Sequence, residues 1–233
     1  MTYNSKNQHH MEIIWKTILL PSIFVILCAL SMAFMNPSFA EKNTREWTLE
    51  TDNEDIKVYV IAVENTDIIK AKSVATLNAS LEEIKKILDD IEHRHEWVPF
   101  LKASSILKQD SENNKIEYSI FSAPWPASDR DFVYSLEQTT NTSNQQVYEM
   151  YSVKSSSMPE NEDRVRGEIF ESKYILTAVN SNVTRIELIY HADPKGWLPN
   201  WIINIIQKVL PYKILKNLRD RLRSQTSTSM NHK

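Results

Sequence analysis

Alternation of apolar and polar positions from Trp47 to Ala79, clearest in Ile56-Lys57-Val58-Tyr59-Val60-Ile61 and in the run Ala71–Leu77, predicts two or three antiparallel strands. The period then changes. Ser80-Leu81-Glu82-Glu83 has the form of a capping box, and Leu81, Ile84, Ile87, Leu88 and Ile91 follow at helical spacing, so a helix is expected over 81–92. From Lys102 to Ala192 the pattern returns to strands, broken by polar clusters at 110–114, 141–144 and 155–163, as in a meander of long hairpins. After Pro199 the apolar positions Ile202, Ile203, Ile205, Ile206, Val209, Leu210, Ile214, Leu215, Leu218 and Leu222 predict a long amphipathic helix, with a kink at Pro211. The tail beyond 224 is expected to be unstructured. Strands, one helix, more strands and a terminal helix make an α+β domain, with helices on one side of an antiparallel sheet. Such a sheet curled around a long helix leaves a hollow lined by aliphatic and aromatic side chains.

Residues 1–40 stand apart from this pattern. Thr17 to Met35 is an apolar run, preceded by Lys6 and Lys16 and followed by Ser38-Phe39-Ala40, the small-residue frame of a signal peptidase site. Cleavage after Ala40 and export to the periplasm or the medium are expected; the alternative is an uncleaved anchor, since residues 17–35 could just span a bilayer. A domain over 41–224 then remains. The cut removes Cys28, the only cysteine, together with Lys6, Lys16 and Glu12, leaving 193 residues with 25 bases, 29 acids and a charge of −4. The exported chain has no disulfide and no thiol chemistry.

Composition closes several function classes. The full chain carries 27 Lys and Arg against 30 Asp and Glu, a net charge of −3, which argues against a nucleic-acid partner. Only two glycines, Gly167 and Gly196, are present, too few and too far apart for a dinucleotide fingerprint or a phosphate loop. No serine sits in a G-x-S-x-G frame. His93 and His95 have a spacing that could chelate a metal in an extended segment, but no third ligand accompanies them, so neither a metal nor another cofactor is expected. Asp129, Arg130 and Asp131 invite a catalytic reading. Alternation on one strand, however, sends Arg130 and Phe132 to one face and Asp129, Asp131 and Val133 to the other, so the trio cannot converge, and ion pairs holding the strand are expected instead.

Four segments then carry a resemblance. Trp125-Pro126-Ala127-Ser128-Asp129-Arg130-Asp131-Phe132-Val133-Tyr134 resembles the WP-x-x-x-RDFV segment of the StAR-related lipid transfer (START) domains. Arg94-His95-Glu96-Trp97-Val98-Pro99 resembles their R-x-x-W-x-P, Val165-Arg166-Gly167-Glu168 their R-G strand, and 191–204 their D-x-x-G-x-(I/L)-P-x-x-(I/L)-x-N segment before the last helix. The resemblance covers about 45–223. It implies a helix-grip fold, an antiparallel sheet wrapped around the C-terminal helix, and non-enzymatic binding or transfer of one hydrophobic lipid: a sterol, phospholipid, fatty acid or isoprenoid. An enzyme of the wider helix-grip group acting on a lipophilic substrate, and a membrane-tethered module presenting its lipid, are the alternatives. Sterol-binding relatives place an acid and an arginine in the cavity; Glu117 stands at the acid's position, whereas Leu136 occupies the arginine's.

The residues expected nearest the ligand are Trp97, Glu117, Tyr118, Trp125, Arg130, Phe132, Tyr151, Trp201 and Ile205. Trp197 to Arg223 carries six bases against Asp220, so the terminal helix is also a candidate for contact with a membrane surface. The protein is expected to act as a monomer.

Overall fold

The structure, a computed structural model, describes residues 46–199, 202–203 and 205–230, with side chains to 225. Its compact unit begins at Arg45. The expected signal or anchor segment and Trp201 lie outside the described residues. Among those described, no helix is long and apolar enough to cross a membrane.

The N-terminal alternation forms strands β1 (Thr48–Asn53), β2 (Ile56–Ile61) and β3 (Lys70–Leu77). Helix α1 (Leu81–Asp89) follows, and its capping box is complete: the Glu83 amide donates to Ser80 Oγ (3.3 Å) and the Ser80 amide to Glu83 Oε2 (2.8 Å). It ends three residues short of the expected position. The Asp90 side chain accepts from the His93 amide (3.2 Å) and ring (2.8 Å), which turns the chain into a 3-10 turn, Arg94–Glu96. Apolar periodicity does not register this side-chain competition with the backbone.

Seven strands follow: β4 (Leu101–Ser111), β5 (Asn114–Phe121), β6 (Arg130–Asn141), β7 (Gln145–Ser152), β8 (Val165–Arg166), β9 (Glu168–Asn180) and β10 (Val183–Asp193). The sheet runs β1-β2-β3-β10-β9-β7-β6-β5-β4, with the short β8 pairing parallel to β6. α1 therefore carries the chain from β3 to the far edge, and the meander returns until β10 closes against β3. The result is a curved antiparallel sheet gripping the terminal helix, the expected α+β helix-grip architecture.

The helical segment after Pro199 is less regular than its pattern implies. A π-helical turn, Ile205–Val209, precedes α2 (Leu210–Met230). Pro211 has no amide to offer the Gln207 carbonyl, and its ring crowds that carbonyl, so the turn widens. Leu210, Ile214, Leu215, Leu218 and Leu222 form one stripe, packed in a single core with Ile56, Leu77, Ile84, Ile87, Leu176 and Ile186. The helix continues to Met230, past the expected tail, because residues 224–230 contain no glycine or proline to stop it.

The capping box gives a direct test. Ser80→Ala should lower stability by about 1 kcal/mol, read as a lower urea midpoint with an unchanged slope.

Candidate functional site: an apolar cavity closed by a buried ion pair

Between the concave face of the sheet, α1 and the segment before α2 lies a cavity of about 200 Å³. Phe132, Tyr134 and Leu136 line it from β6, Ser119 and Phe121 from β5, and Tyr148 and Met150 from β7. Tyr174, Leu188 and Tyr190 add wall from β9 and β10, and Ile202, Ile205, Ile206, Leu210 and Ile214 close it from the helical side. Strand period explains the spacing of two in each set, since alternate side chains share a face.

One end is polar. Arg94, buried in the 3-10 turn, donates from Nη1 to Glu117 Oε2 (2.5 Å) and the Tyr134 hydroxyl (3.4 Å), and from Nη2 to the Leu88 carbonyl (2.9 Å). The Tyr134 hydroxyl lies 2.9 Å from both Glu117 Oε2 and Ser119 Oγ. Lys115 stands behind, 3.4 Å from Glu117 and 3.5 Å from Asp89. Burial alone would raise the Glu117 carboxyl, but Arg94 and Lys115 override it and hold it below the usual carboxylate range. Burial disfavours the Arg94 charge, yet Tyr134 and Glu117 beside it leave its pKa above the ordinary value. Burial pushes Tyr134 upward, and Tyr174 and Tyr190 to about 12.

The opposite rim is tied by Arg130. Its guanidinium donates to the carbonyls of Ser128, Pro194 (3.3 Å), Lys195 (3.1 Å) and Trp197 (3.0 Å), joining the loop before β6 to the loop after β10. The expected ion pairs belong to the two acids: Asp131 accepts from Arg166 Nε (2.7 Å) and from the Tyr118 hydroxyl (2.9 Å), and Asp129 accepts from Lys102 Nζ (2.7 Å). Opposite sides of β6 thus serve different ends, as alternation requires.

Of the expected site residues, Trp97, Arg130, Phe132 and Ile205 are on the cavity wall. Glu117 is fully buried behind Arg94. Three are elsewhere. Tyr118 is turned to Asp131 on the other side of the sheet, Tyr151 lies beside Glu149 on the outer face, and Trp125 is 90% exposed in the loop between β5 and β6. Ring size and nearness to a motif do not decide direction; strand parity and loop exposure place these three away from the hollow. Sequence reasoning missed Tyr134, Ser119 and the cavity role of Arg94. Parity from Phe132 would have found Tyr134, whereas the Arg94–Glu117 contact spans 23 residues and leaves no local sign.

The bases of the terminal helix are largely engaged by the domain's own acids: Lys208 with Glu50 (2.8 Å), Lys216 and Arg219 with Glu54 (2.8 and 2.7 Å), and Arg221 with Glu96 (2.5 Å). They fasten the helix to the sheet's first turn and to the 3-10 turn.

A sheet gripping a terminal helix over an apolar cavity, with a buried ion pair at one end, is a helix-grip architecture. This chain belongs to the START domain family, whose model matches residues 38–228. It is 30% identical to a STAR-related lipid transfer protein of Xanthomonas axonopodis whose crystal structure superposes with a TM-score of 0.67 over 76% of this chain and 98% of that fragment. The crystal structure of human STARD10 gives a TM-score of 0.71 at 23% identity, covering 80% of this chain and 76% of that one. The human phosphatidylcholine transfer protein is 22% identical over 163 residues, 68% of this chain and 75% of that protein. Against the whole human START domain-containing protein 10, the match spans 60% of its length.

The buried pair sets an acid response. A carboxylate held below its unfolded pKa of about 4.5 contributes stability above that pH and loses it as the pH falls through the folded value. Glu117→Gln leaves Arg94 without its counter-charge and should cost about 3–5 kcal/mol at pH 7. In thermal melts, the gap between wild type and variant should narrow below about pH 4.5.

Proposed function

We propose that this protein binds one hydrophobic lipid in its cavity and carries or sequesters it, unchanged, outside the cytoplasm. The observation that carries the reading is the apolar cavity itself, walled by aliphatic and aromatic side chains and lying beneath the terminal helix. Burying an acyl or terpenoid chain there yields roughly 0.8 kcal/mol per CH₂, enough to hold a lipid without chemistry. Membership of the START family, with phosphatidylcholine transfer proteins among its relatives, supports the same reading.

The electrostatics of the wall argue against catalysis. Glu117 is held ionised, Arg94 is held protonated and Tyr134 is held neutral, so none of them exchanges a proton near pH 7. Membrane contact falls to the cavity rim in this reading, because four of the six helix bases are engaged by acids elsewhere in the domain. Trp125 and Trp197, 90% and 68% exposed, adjoin the wall residues Pro124 and Leu198, and indole rings favour the headgroup zone.

Two measurements test this. Native mass spectrometry of the protein from cells expressing the full chain should show one lipid per chain, and Leu136→Trp, which fills the cavity from β6, should lower that loading about tenfold with the circular dichroism spectrum preserved. An empty wild-type protein that takes up no lipid from vesicles would sink the carrier reading. N-terminal sequencing of the exported chain should begin at Glu41; an intact N-terminus in the membrane fraction would indicate the anchored alternative.

A further inference from the structure

The charges on the cavity wall are unevenly answered, and the inference drawn from them rests on the carrier reading above. Among the described residues the wall carries Asp89, Arg94 and Arg130. At the polar end Arg94 is matched by Glu117 (2.5 Å), and Asp89 by Lys85 (2.5 Å) and Lys115 (3.5 Å). Arg130, at the opposite rim and only 4% exposed, meets no carboxylate among the described residues. The acids around it are committed to other bases: Asp129 to Lys102, Asp131 to Arg166 and Glu168 to Lys195, each at 2.7 Å. Its guanidinium is shared by four carbonyls. Nε donates to Pro194, Nη1 to Ser128, and Nη2 to Lys195 and Trp197. A guanidinium has five N–H donors, so one on Nη1 is left over. Carbonyl dipoles soften a buried charge without cancelling it, and burial holds the Arg130 pKa below its ordinary value.

We propose that Arg130 is the head-group residue of this cavity, and that the cargo is a lipid with an anionic head, a carboxylate or a phosphate, seated at the rim with its chain running inward. An anion supplies the counter-charge that this guanidinium lacks, through a charge-assisted hydrogen bond from Nη1. The two ends of the cavity sort such a ligand. At the polar end Glu117 is held ionised and repels a second anion. At the rim the adjoining loop residues Trp125 and Trp197 are exposed, so a charged head there keeps part of its hydration. The chain then meets Phe132, Ile202, Ile205 and Ile206.

The delipidated protein would be dialysed to equilibrium against three probes of one chain length: myristate, tetradecyl phosphate and tetradecanol. The better anion should bind one per chain and about tenfold or more tightly than the alcohol, and the order of the two anions names the head. Equal binding of all three, or a preference for the alcohol, would overturn the proposal and leave the carrier reading intact. If none binds, the proposal falls, and the carrier reading falls with it only if vesicles also deliver no lipid. Arg130→Gln removes the charge and keeps an amide donor. It should cut the anion-to-alcohol affinity ratio by about fivefold or more, a ratio that general loosening of the cavity leaves alone; an unchanged ratio would refute the role. Should that variant fail to fold, the wild type decides. The carboxyl of bound myristate, carbon-13 labelled and followed by NMR, should ionise below about pH 4.5, the range of a solvated carboxyl, and titration above it would rule out the contact.

Discussion

Arg94 and Glu117 meet where the crossover from β3 reaches the far side of the sheet, and the rest of the architecture is arranged around that meeting. The guanidinium also donates to the Leu88 carbonyl at the end of α1 and to the Tyr134 hydroxyl of β6, so one buried side chain links the helix, the 3-10 turn and two strands. A hollow domain has fewer apolar contacts per residue than a solid one. A pair with its hydrogen bonds satisfied supplies direction where dispersion forces cannot, and each partner makes removal of the other costly.

The terminal helix shows how a cavity and a stable core coexist in one element. Beyond Pro211, its apolar stripe packs into the main cluster and its bases hold Glu54 and Glu96, which fixes that part at both the sheet's first turn and the 3-10 turn. Before Pro211, the π turn has no fully buried residue and faces the cavity with Ile205 and Ile206. Packing decides the first region, and vacancy the second. Such a boundary is where local opening costs least.

Period and punctuation made much of this fold legible: the capping box at Ser80, the strand alternation and the long stripe after Pro199 each correspond to an observed element. Local patterns work because they report which face is buried. They do not report parity between strands, so of the rings expected nearest the ligand Phe132 lines the cavity while Tyr118 and Tyr151 lie on the opposite face of the sheet. Nor do they show which charges will pair. The bases of the last helix read as a free cationic face, yet their partners lie more than a hundred residues earlier, at Glu50, Glu54 and Glu96. Arg94 was visible as part of a motif, but its burial beside Glu117 is a product of the whole topology.

Among the described residues the sheet stays open, since β1 and β4 end it on either side without pairing to one another. An open rim with free amides and carbonyls invites a strand from another molecule. β4 is poorly suited to receive one. Its register against β5 shifts at three places, between Leu101 and Ala103, Ile106 and Lys108, and Gln109 and Ser111, and it carries Lys102, Lys108 and Asp110 along an exposed length. β1 is polar and has a shift of its own between Leu49 and Thr51. Irregular rims thus let the domain keep the gap that a hollow interior needs without becoming a template for fibres or strand-swapped pairs.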